Sequence, residues 1–543
     1  MTSASSGTTD VVVVGAGFSG LYLLHRLRQM GLHARLLEKG SGVGGTWYWN
    51  RYPGARCDIE SFDYCYSFSD ELVREWVWSE RYATQPEILR YLEHVADRFD
   101  LNRLITFDTT AEAASFDQNA GTWTVTTDTG EQITARYLVL ATGNLSLTNR
   151  PDFDGLDSFT GQWFHTGTWP HEPVDFTGQS VAVIGTGSSG IQSIPKIAQQ
   201  AEHLYVLQRT PNYSMPARNR AVTAEEMSSI VANFPSRRRA CENSDAGTPL
   251  PPATQRAVEV TAEQRRAKYD EGWERGGISA LSGAFTDMFG DEVANGYAQD
   301  YAREQIRSLV TDPQIADMLS PSHDIGTKRT CTDIDYYQTY NRDNVDLIDV
   351  RANPISHITP TGIALHDGVI EVDSIVFATG FDAITGALAD IDIRGRADVP
   401  LSAAWANGAR AYLGLQVVGF PNMFLITGPT SPSVLSNMAI SIEQHVDWVV
   451  DCLAYMRDNG HATIEPTNTA QDEWMRHVTE LANATLYPRA HSWYVGTNMD
   501  GRERAFTIYI AGCGPYREEC DQVVADGYRG FEFDATSTEG TSA

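Results

Sequence analysis

The chain has 543 residues, 42% apolar and 20% charged, the composition of a globular protein with room for about three or four domains rather than of a disordered chain. Its 70 acidic residues outnumber its 41 basic ones, and a net charge of −29 excludes nucleic acid and anionic membranes as main partners, because such a surface repels phosphate. No stretch approaches the ~20 apolar residues of a membrane helix, the opening MTSASSGTTD has no basic and apolar leader, and seven scattered cysteines without a Cys-x-x-Cys pair argue against a disulfide framework or a metal site, so a cytoplasmic enzyme is expected.

Residues 1–9 and about 535–543 are rich in Ser, Thr and Gly and read as frayed tails. Residues 10–14 form a β-branched run that predicts a buried parallel strand. Gly15-Ala-Gly-Phe-Ser-Gly20 follows, and then Leu23, Leu27 and Met30 mark one face of a helix. A second strand over 33–38 ends on the acid Glu38. Residues 122–127 alternate like an antiparallel strand, and an apolar strand runs into Ala141-Thr-Gly143.

The first unit then recurs. Residues 180–184 predict a strand, Gly185-Thr-Gly-Ser-Ser-Gly190 a glycine loop, 191–200 a helix, and 203–209 a strand that ends on the base Arg209. Residues from about 217 to 320 are rich in Ala, Glu, Arg and Gln and read as a mostly helical insertion. The Ala-Thr-Gly ending returns at Ala378-Thr-Gly380, and a variant of it at Ile426-Thr-Gly428.

A lone Gly-x-Gly-x-x-Gly is a weak signal. Here each copy follows a strand and opens a helix, the context in which the glycines admit a pyrophosphate to the backbone and the helix N-terminus supplies donors. Glu38, 18 residues past Gly20, can accept from a ribose hydroxyl, which suits FAD or NAD, whereas Arg209 can pair with a 2′-phosphate, which suits NADP. The expected fold is therefore α/β, with two Rossmann-like dinucleotide-binding domains and a helical insertion in the second. The FAD domain takes 1–145 and 386–543, the NADP domain 146–217 and 331–385, and the insertion 218–330. Two such units suggest a flavin reduced by NADPH. With no cysteine pair to relay electrons, molecular oxygen is the remaining outlet.

The segment Phe159-Thr-Gly161-Gln-Trp-Phe-His165-Thr-Gly-Thr-Trp169-Pro170 resembles the fingerprint Phe-x-Gly-x-x-x-His-x-x-x-Trp-Pro of the type I Baeyer–Villiger monooxygenases. A second family pattern lies at Gly44-Gly-Thr-Trp47, Tyr52-Pro-Gly54 and Asp58. The resemblance covers essentially the whole chain, and the stretches 47–58 and Ile325-Gly-Thr-Lys-Arg329 are most similar to the phenylacetone and steroid monooxygenase branch. The comparable motif of flavin N-oxygenating monooxygenases ends on Tyr or Phe instead of Trp169-Pro170.

The resemblance implies a reaction in which NADPH reduces FAD, a C4a-peroxyflavin forms with O2, and a small ketone becomes an ester or lactone, with sulfoxidation as a side activity. An N- or S-oxygenating enzyme and a non-turnover flavin sensor are the alternatives. Arg329 is implied as the catalytic cation that steadies the peroxide and the tetrahedral oxyanion, with Asp58 as its partner. His165 is given a hinge role between the domains.

Implied cofactor contacts on the first unit are Gly15, Gly17, Ser19, Gly20, Glu38, Thr46, Trp47, Tyr48, Trp49, Arg56, Asp58, Tyr64, Ala111 and Met438. On the second they are Gly185, Thr186, Gly187, Ser188, Ser189, Gly190, Ile191, Gln192, Arg209, Thr210, Lys328 and Trp493. Ile59, Leu145, Val434, Leu435 and Met438 would line an apolar ketone pocket. Close relatives usually have Gly-Pro-Gly-Ser where this chain has Gly428-Pro-Thr-Ser431, a departure expected to bear on pocket shape and substrate range. The natural ketone and the oligomeric state, monomer included, stay open.

Overall fold

The structure, a computed structural model, describes residues 6–149, 151–496 and 506–535. In the first domain, Ser6–Val14 lies between the parallel strands Ala34–Leu37 and Gln132–Leu140. Gln132–Leu140 continues into an antiparallel meander through Thr122–Thr127 and Ala111–Asp117. Asp392–Arg394 and Met423–Leu425 return from the far end of the chain to extend the same sheet. The β-branched run makes this placement possible. Val11 and Val13 pack into one core and Val12 into the core on the opposite face, so the strand is buried on both sides. Residues 6–9, expected to fray, instead pair in register with 132–135, and Phe531–Ala535 pairs with His461–Pro466. The rest of both expected tails, 1–5 and 536–543, lies outside the described residues.

The second domain is a five-stranded, wholly parallel sheet in the order Val345–Asp349, His203–Gln208, Ser180–Ile184, Ser374–Phe377, Gln162–His165. The strand order reverses at Ser180–Ile184. Gly185 leaves the carboxyl end of that strand beside Ala378, at the topological switch point where open α/β sheets bind ligands.

The two glycine units are built alike. A Cβ on Gly15 would sit 2.6 Å from the Ala141 carbonyl oxygen, and one on Gly185 would sit 2.4 Å from that of Ala378, so each Ala-Thr-Gly strand end abuts a glycine loop. Both glycines have positive φ, 104° and 111°.

The stretch 218–330 contains four α-helices. The first, Ala224–Glu242, buries Met227 and Phe234 in the core of the first domain. Arg237 Nε donates to Asp63 Oδ1 at 2.6 Å, and Arg238 pairs with Glu443. Ala262–Arg275 and Glu292–Leu309 surround a separate core that includes Tyr269, Trp273 and Tyr301, while Pro313–Met318 packs Ala316 into the core of the second domain. No helix among the described residues is long and apolar enough to cross a membrane.

The domains are joined by two crossing segments. Thr148 and Phe381 form an antiparallel bridge, and the Asn149 N–H donates to the Gly380 carbonyl at 3.0 Å. His165 is buried beside this crossing. Its Nδ1 accepts from the Gly167 N–H at 3.0 Å, so Nε2 of the neutral ring carries the hydrogen toward Thr379 Oγ1, 3.1 Å away. The Thr379 hydroxyl donates on to the Asn149 carbonyl at 2.9 Å. Burial pushes the His165 pKa down to about 4, so the ring is neutral at physiological pH.

Candidate active site

A cleft of about 1560 Å³ runs between the domains, larger than a pocket for one small ligand. Both glycine loops open into it. The helices Phe18–Gln29 and Ser188–Ala198 begin there at Gly17 and Gly187, with no side-chain cap and no acidic residue in the first turn. Their first N–H groups therefore face the cleft with positive potential and no side-chain partner, in a chain that is otherwise strongly acidic. The space where a Gly187 Cβ would point is open to 4 Å. These are cradles fit for two anionic pyrophosphates.

The Gly44-Gly45 pair is stapled to the first loop. The Gly44 N–H donates to the Ala16 carbonyl at 2.9 Å, and a Cβ on Gly45 would lie 2.9 Å from Gly17 Cα. That close approach explains why glycine precedes the short helix Thr46–Trp49. Glu38 is buried, accepting from Ala16 N–H and Gly40 N–H at 2.7 Å each. Burial raises its pKa against those two donors. Each oxygen keeps a further lone pair for a ribose hydroxyl.

Of the residues singled out from the sequence, Gly15, Gly17, Ser19, Glu38, Thr46, Trp47, Trp49, Tyr64, Ala111 and Met438 line the cleft on the first side. Gly185, Thr186, Gly187, Ser188, Ser189, Arg209, Thr210, Lys328 and Trp493 line it on the second. Gly20, Gly190, Ile191 and Tyr48 are off the wall. Gly20 and Gly190 serve helix packing, since a Cβ there would lie 1.9 and 2.2 Å from the carbonyl oxygens of Gly15 and Gly185. Ile191 is in the core of the second domain, and Tyr48 is packed against Ser41 and His171.

Arg56 and Gln192 reach the wall, but their polar groups are engaged elsewhere. The Arg56 guanidinium donates to Glu80 at 3.0 Å and to the Tyr82 carbonyl at 3.1 Å. Gln192 Oε1 accepts from Tyr52 Oη at 2.9 Å and from the Arg56 N–H at 3.4 Å, while its Nε2 donates to the Arg56 carbonyl at 3.2 Å.

Arg329 and Asp58, 271 positions apart in the chain, meet on the same wall. Arg329 Nε donates to Asp58 Oδ2 at 3.1 Å, and Nη2 lies 2.9 and 2.7 Å from Oδ1 and Oδ2. Nη1 donates to the Val434 carbonyl at 2.6 Å. A guanidinium has five N–H donors; four serve Asp58 and Val434, and the last, on Nη1, is shared between the cleft and the Tyr494 phenol, which also hydrogen-bonds this cation. Burial works against this charge, but Asp58 outweighs it and the Arg329 pKa stands above the usual value. The backbone is fixed as well: Asn212 Nδ2 donates to the Arg329 carbonyl at 3.0 Å, just before the strand Cys331–Asp333. Tyr494 was not foreseen. Its phenol is buried and lies in the field of Arg329, which pulls its pKa partly back from the rise that burial imposes.

Ile59, Leu145, Val434 and Met438 give the centre an apolar border, while Leu435 is off the wall, packed beside Ile384 and Tyr487. The backbone beneath is strained, with Thr427, Thr430 and Ser433 at φ of 55°, 72° and 45°. Thr430, the position at which the family resemblance leads one to expect glycine, is fully buried away from the cleft. Its hydroxyl accepts from Trp474 Nε1 at 3.1 Å, so this departure alters the support of the loop and not the wall.

A family model for pyridine nucleotide-disulphide oxidoreductases matches residues 12–246. All seven cysteines of this chain are free and buried. A solved steroid monooxygenase bound to NADP is 52% identical, with a TM-score of 0.94 over 97% of this chain and all of that one. A phenazine N-monooxygenase of Lysobacter antibioticus is 41% identical over 96% of both chains. A Baeyer–Villiger monooxygenase of Pseudooceanicola batsensis is 42% identical over 97% of both. With the fingerprint at the domain crossing, the cation on the wall and likeness along nearly its full length, this chain belongs to the Baeyer–Villiger monooxygenase family.

Proposed function

We propose that this protein uses NADPH and O2 to convert an apolar ketone into the corresponding ester or lactone. One oxygen atom enters the bond beside the carbonyl, the other leaves as water, and NADPH supplies the electron pair. The observation that carries this reading is the Arg329–Asp58 pair on the wall between two dinucleotide cradles. FAD, held at the Gly15 loop, supplies the hydride acceptance and oxygen activation that no side chain here can provide.

The protein's own residues do the rest. The Gly185 loop, Arg209, Thr210 and Lys328 hold NADPH, and Trp493 orders its nicotinamide end. Arg329 presents a permanent positive charge to negative oxygen, first on the attacking oxygen and then on the ketone carbonyl. It cannot give up its proton, so it acts as an electrostatic clamp and not as an acid. Asp58 fixes the guanidinium plane, and the Val434 carbonyl and the Tyr494 phenol hold its far edge. Ile59, Leu145, Val434 and Met438 keep water from the reacting oxygen and favour an uncharged substrate. The neutral His165 bond to Thr379 holds the domain crossing as a hinge. Free thiols throughout support a reducing, cytoplasmic location.

The phenazine relative favours a second reading, oxygenation of an aromatic nitrogen. The deciding experiment feeds the FAD-loaded enzyme NADPH and heavy-isotope O2 with a panel of linear, cyclic and aryl ketones, sulfides and a phenazine. Labelled ester or lactone is the expected product. An N-oxide with no ester from any ketone would replace the first reading with the second. Hydrogen peroxide alone would overturn both.

A further inference from the structure

The parallel register of the second sheet places three strand ends side by side. Leu207 is opposite Ile184, and Gln208 is opposite Asp349. The chain leaves the first of these strands through the Gly185 loop, the second through Arg209 and the third through Val350 and Arg351. All three exits are on the carboxyl edge, where a dinucleotide lies across such a sheet.

The exits are bonded to one another. Thr186 Oγ1 donates to the Thr210 carbonyl at 3.0 Å, and Arg351 Nη2 donates to Thr210 Oγ1 at 2.7 Å. The half-buried Lys328 lines the same cleft as Arg209 and Thr210. Its ammonium is pushed below the usual lysine range by burial, then by Arg351 and then by Arg209. Among the described residues, no carboxylate forms an ion pair with Arg209, Lys328 or Arg351. The nearest acid along the chain, Asp349, uses Oδ1 to accept the Arg351 backbone N–H at 2.8 Å.

Arg209, Thr210 and Lys328 line the cleft, and the exposed Arg351, at the rim beside Val350, reaches Thr210, so three cations without a carboxylate partner among the described residues gather here in a chain with a net charge of −29. Such a group has a positive potential that an anion would complete. A phosphate monoester carries about −1.5 to −2 charges near neutral pH and three acceptor oxygens. The 2′-hydroxyl of NADH has neither.

We propose that Arg351 is a third arm, beside Arg209 and Lys328, that grips the 2′-phosphate of NADPH and sets the preference for NADPH over NADH. This rests on the reading of the second glycine unit as the NADPH site. Its planar fork matches a phosphate edge, while the bond to Thr210 keeps it aimed before the coenzyme arrives.

The test uses the FAD-loaded enzyme and its Arg351→Ala, Arg351→Lys and Arg209→Ala variants. Binding of adenosine 2′,5′-bisphosphate is measured by calorimetry, and KM and kcat are measured with NADPH and with NADH. Arg351→Ala should weaken the bisphosphate and raise the NADPH KM about tenfold or more, with kcat kept. The NADH KM should stay within about twofold, because no phosphate contact is lost, and Arg351→Lys should recover part of the loss. Equal losses with both coenzymes would make Arg351 a prop for Thr210 and overturn the proposal. A loss in Arg209→Ala with none in Arg351→Ala would also overturn it, leaving the coenzyme site standing. Bisphosphate binding untouched by either change would remove the coenzyme site itself.

Discussion

Replacing Arg329 with methionine removes the charge and keeps most of the side-chain length. Three of its contacts go to Asp58 and one to the Val434 carbonyl, and a quarter of the side chain is exposed, so the site is neither dry nor fully wet. A unit charge about 4 Å from a negative oxygen, at an effective dielectric of about 20, contributes about 4 kcal/mol. That is about a thousandfold in rate, at the upper end of what losing one preorganised donor costs. Hydride transfer builds no negative oxygen at that point, so loss of flavin absorbance on anaerobic mixing with NADPH should stay within a few-fold of the unmodified enzyme. Ester formation in air should fall about a thousandfold, with NADPH consumption appearing as hydrogen peroxide.

The variant also leaves Asp58 without its cation, which costs about 3 kcal/mol for a largely buried pair. Arg329→Met combined with Asp58→Asn removes that orphan charge. It should restore the thermal midpoint while leaving ester formation lost. Ester formation within about tenfold of the unmodified enzyme in the single variant would refute the clamp. Recovery of activity along with stability in the double variant would show that the charge matters only for folding.

Two further outcomes follow from packing and titration. A Cβ on Gly190 would lie 2.2 Å from the Gly185 carbonyl oxygen, so Gly190→Ala must displace the loop; NADPH KM should rise about tenfold or more with FAD content unchanged, and an unchanged KM would mean the loop does not hold the coenzyme. Asp333 is buried, with the Ser214 hydroxyl at 2.5 Å and the Tyr336 N–H at 3.0 Å as its hydrogen-bond donors among the described residues, and burial pushes its pKa up to about 6. Because the folded pKa is above the unfolded one, its stabilising contribution is complete below about pH 4 and is lost as pH rises through about 6. Asp333→Asn should therefore gain on the unmodified enzyme by about 3 kcal/mol at most between those limits and pH 7, seen as diverging thermal midpoints, whereas parallel curves would refute the assignment.

Both glycine units were legible because strand, loop and helix are adjacent in the chain, and local order carries the motif. Arg329 and Asp58 were legible only through family resemblance. Nothing in their spacing says that they meet, and it takes the whole of two domains to bring them together. Arg351 was invisible for a related reason. It follows an ordinary strand, and its importance comes from which strand lies next to it, a property of sheet order. The docking of Ala224–Glu242 on the first domain was hidden because Arg237 and Arg238 read as solvated charge until their partners Asp63 and Glu443 are placed. Gln192 looked like part of a coenzyme loop by position, yet its amide is occupied by the backbone of the other domain.

That amide has a mechanical consequence. Gln192 grips both the N–H and the carbonyl of Arg56, two residues before Asp58, and Asp58 is gripped in turn by Arg329. The short loop is thus clutched twice from across the domain boundary, once by the helix Ser188–Ala198 and once by Arg329. A swing about the 148–149 and 379–381 crossing has to slip one of these grips or carry the carboxylate with it. The position of the second domain is therefore tied through this one loop to the set of the Arg329 guanidinium.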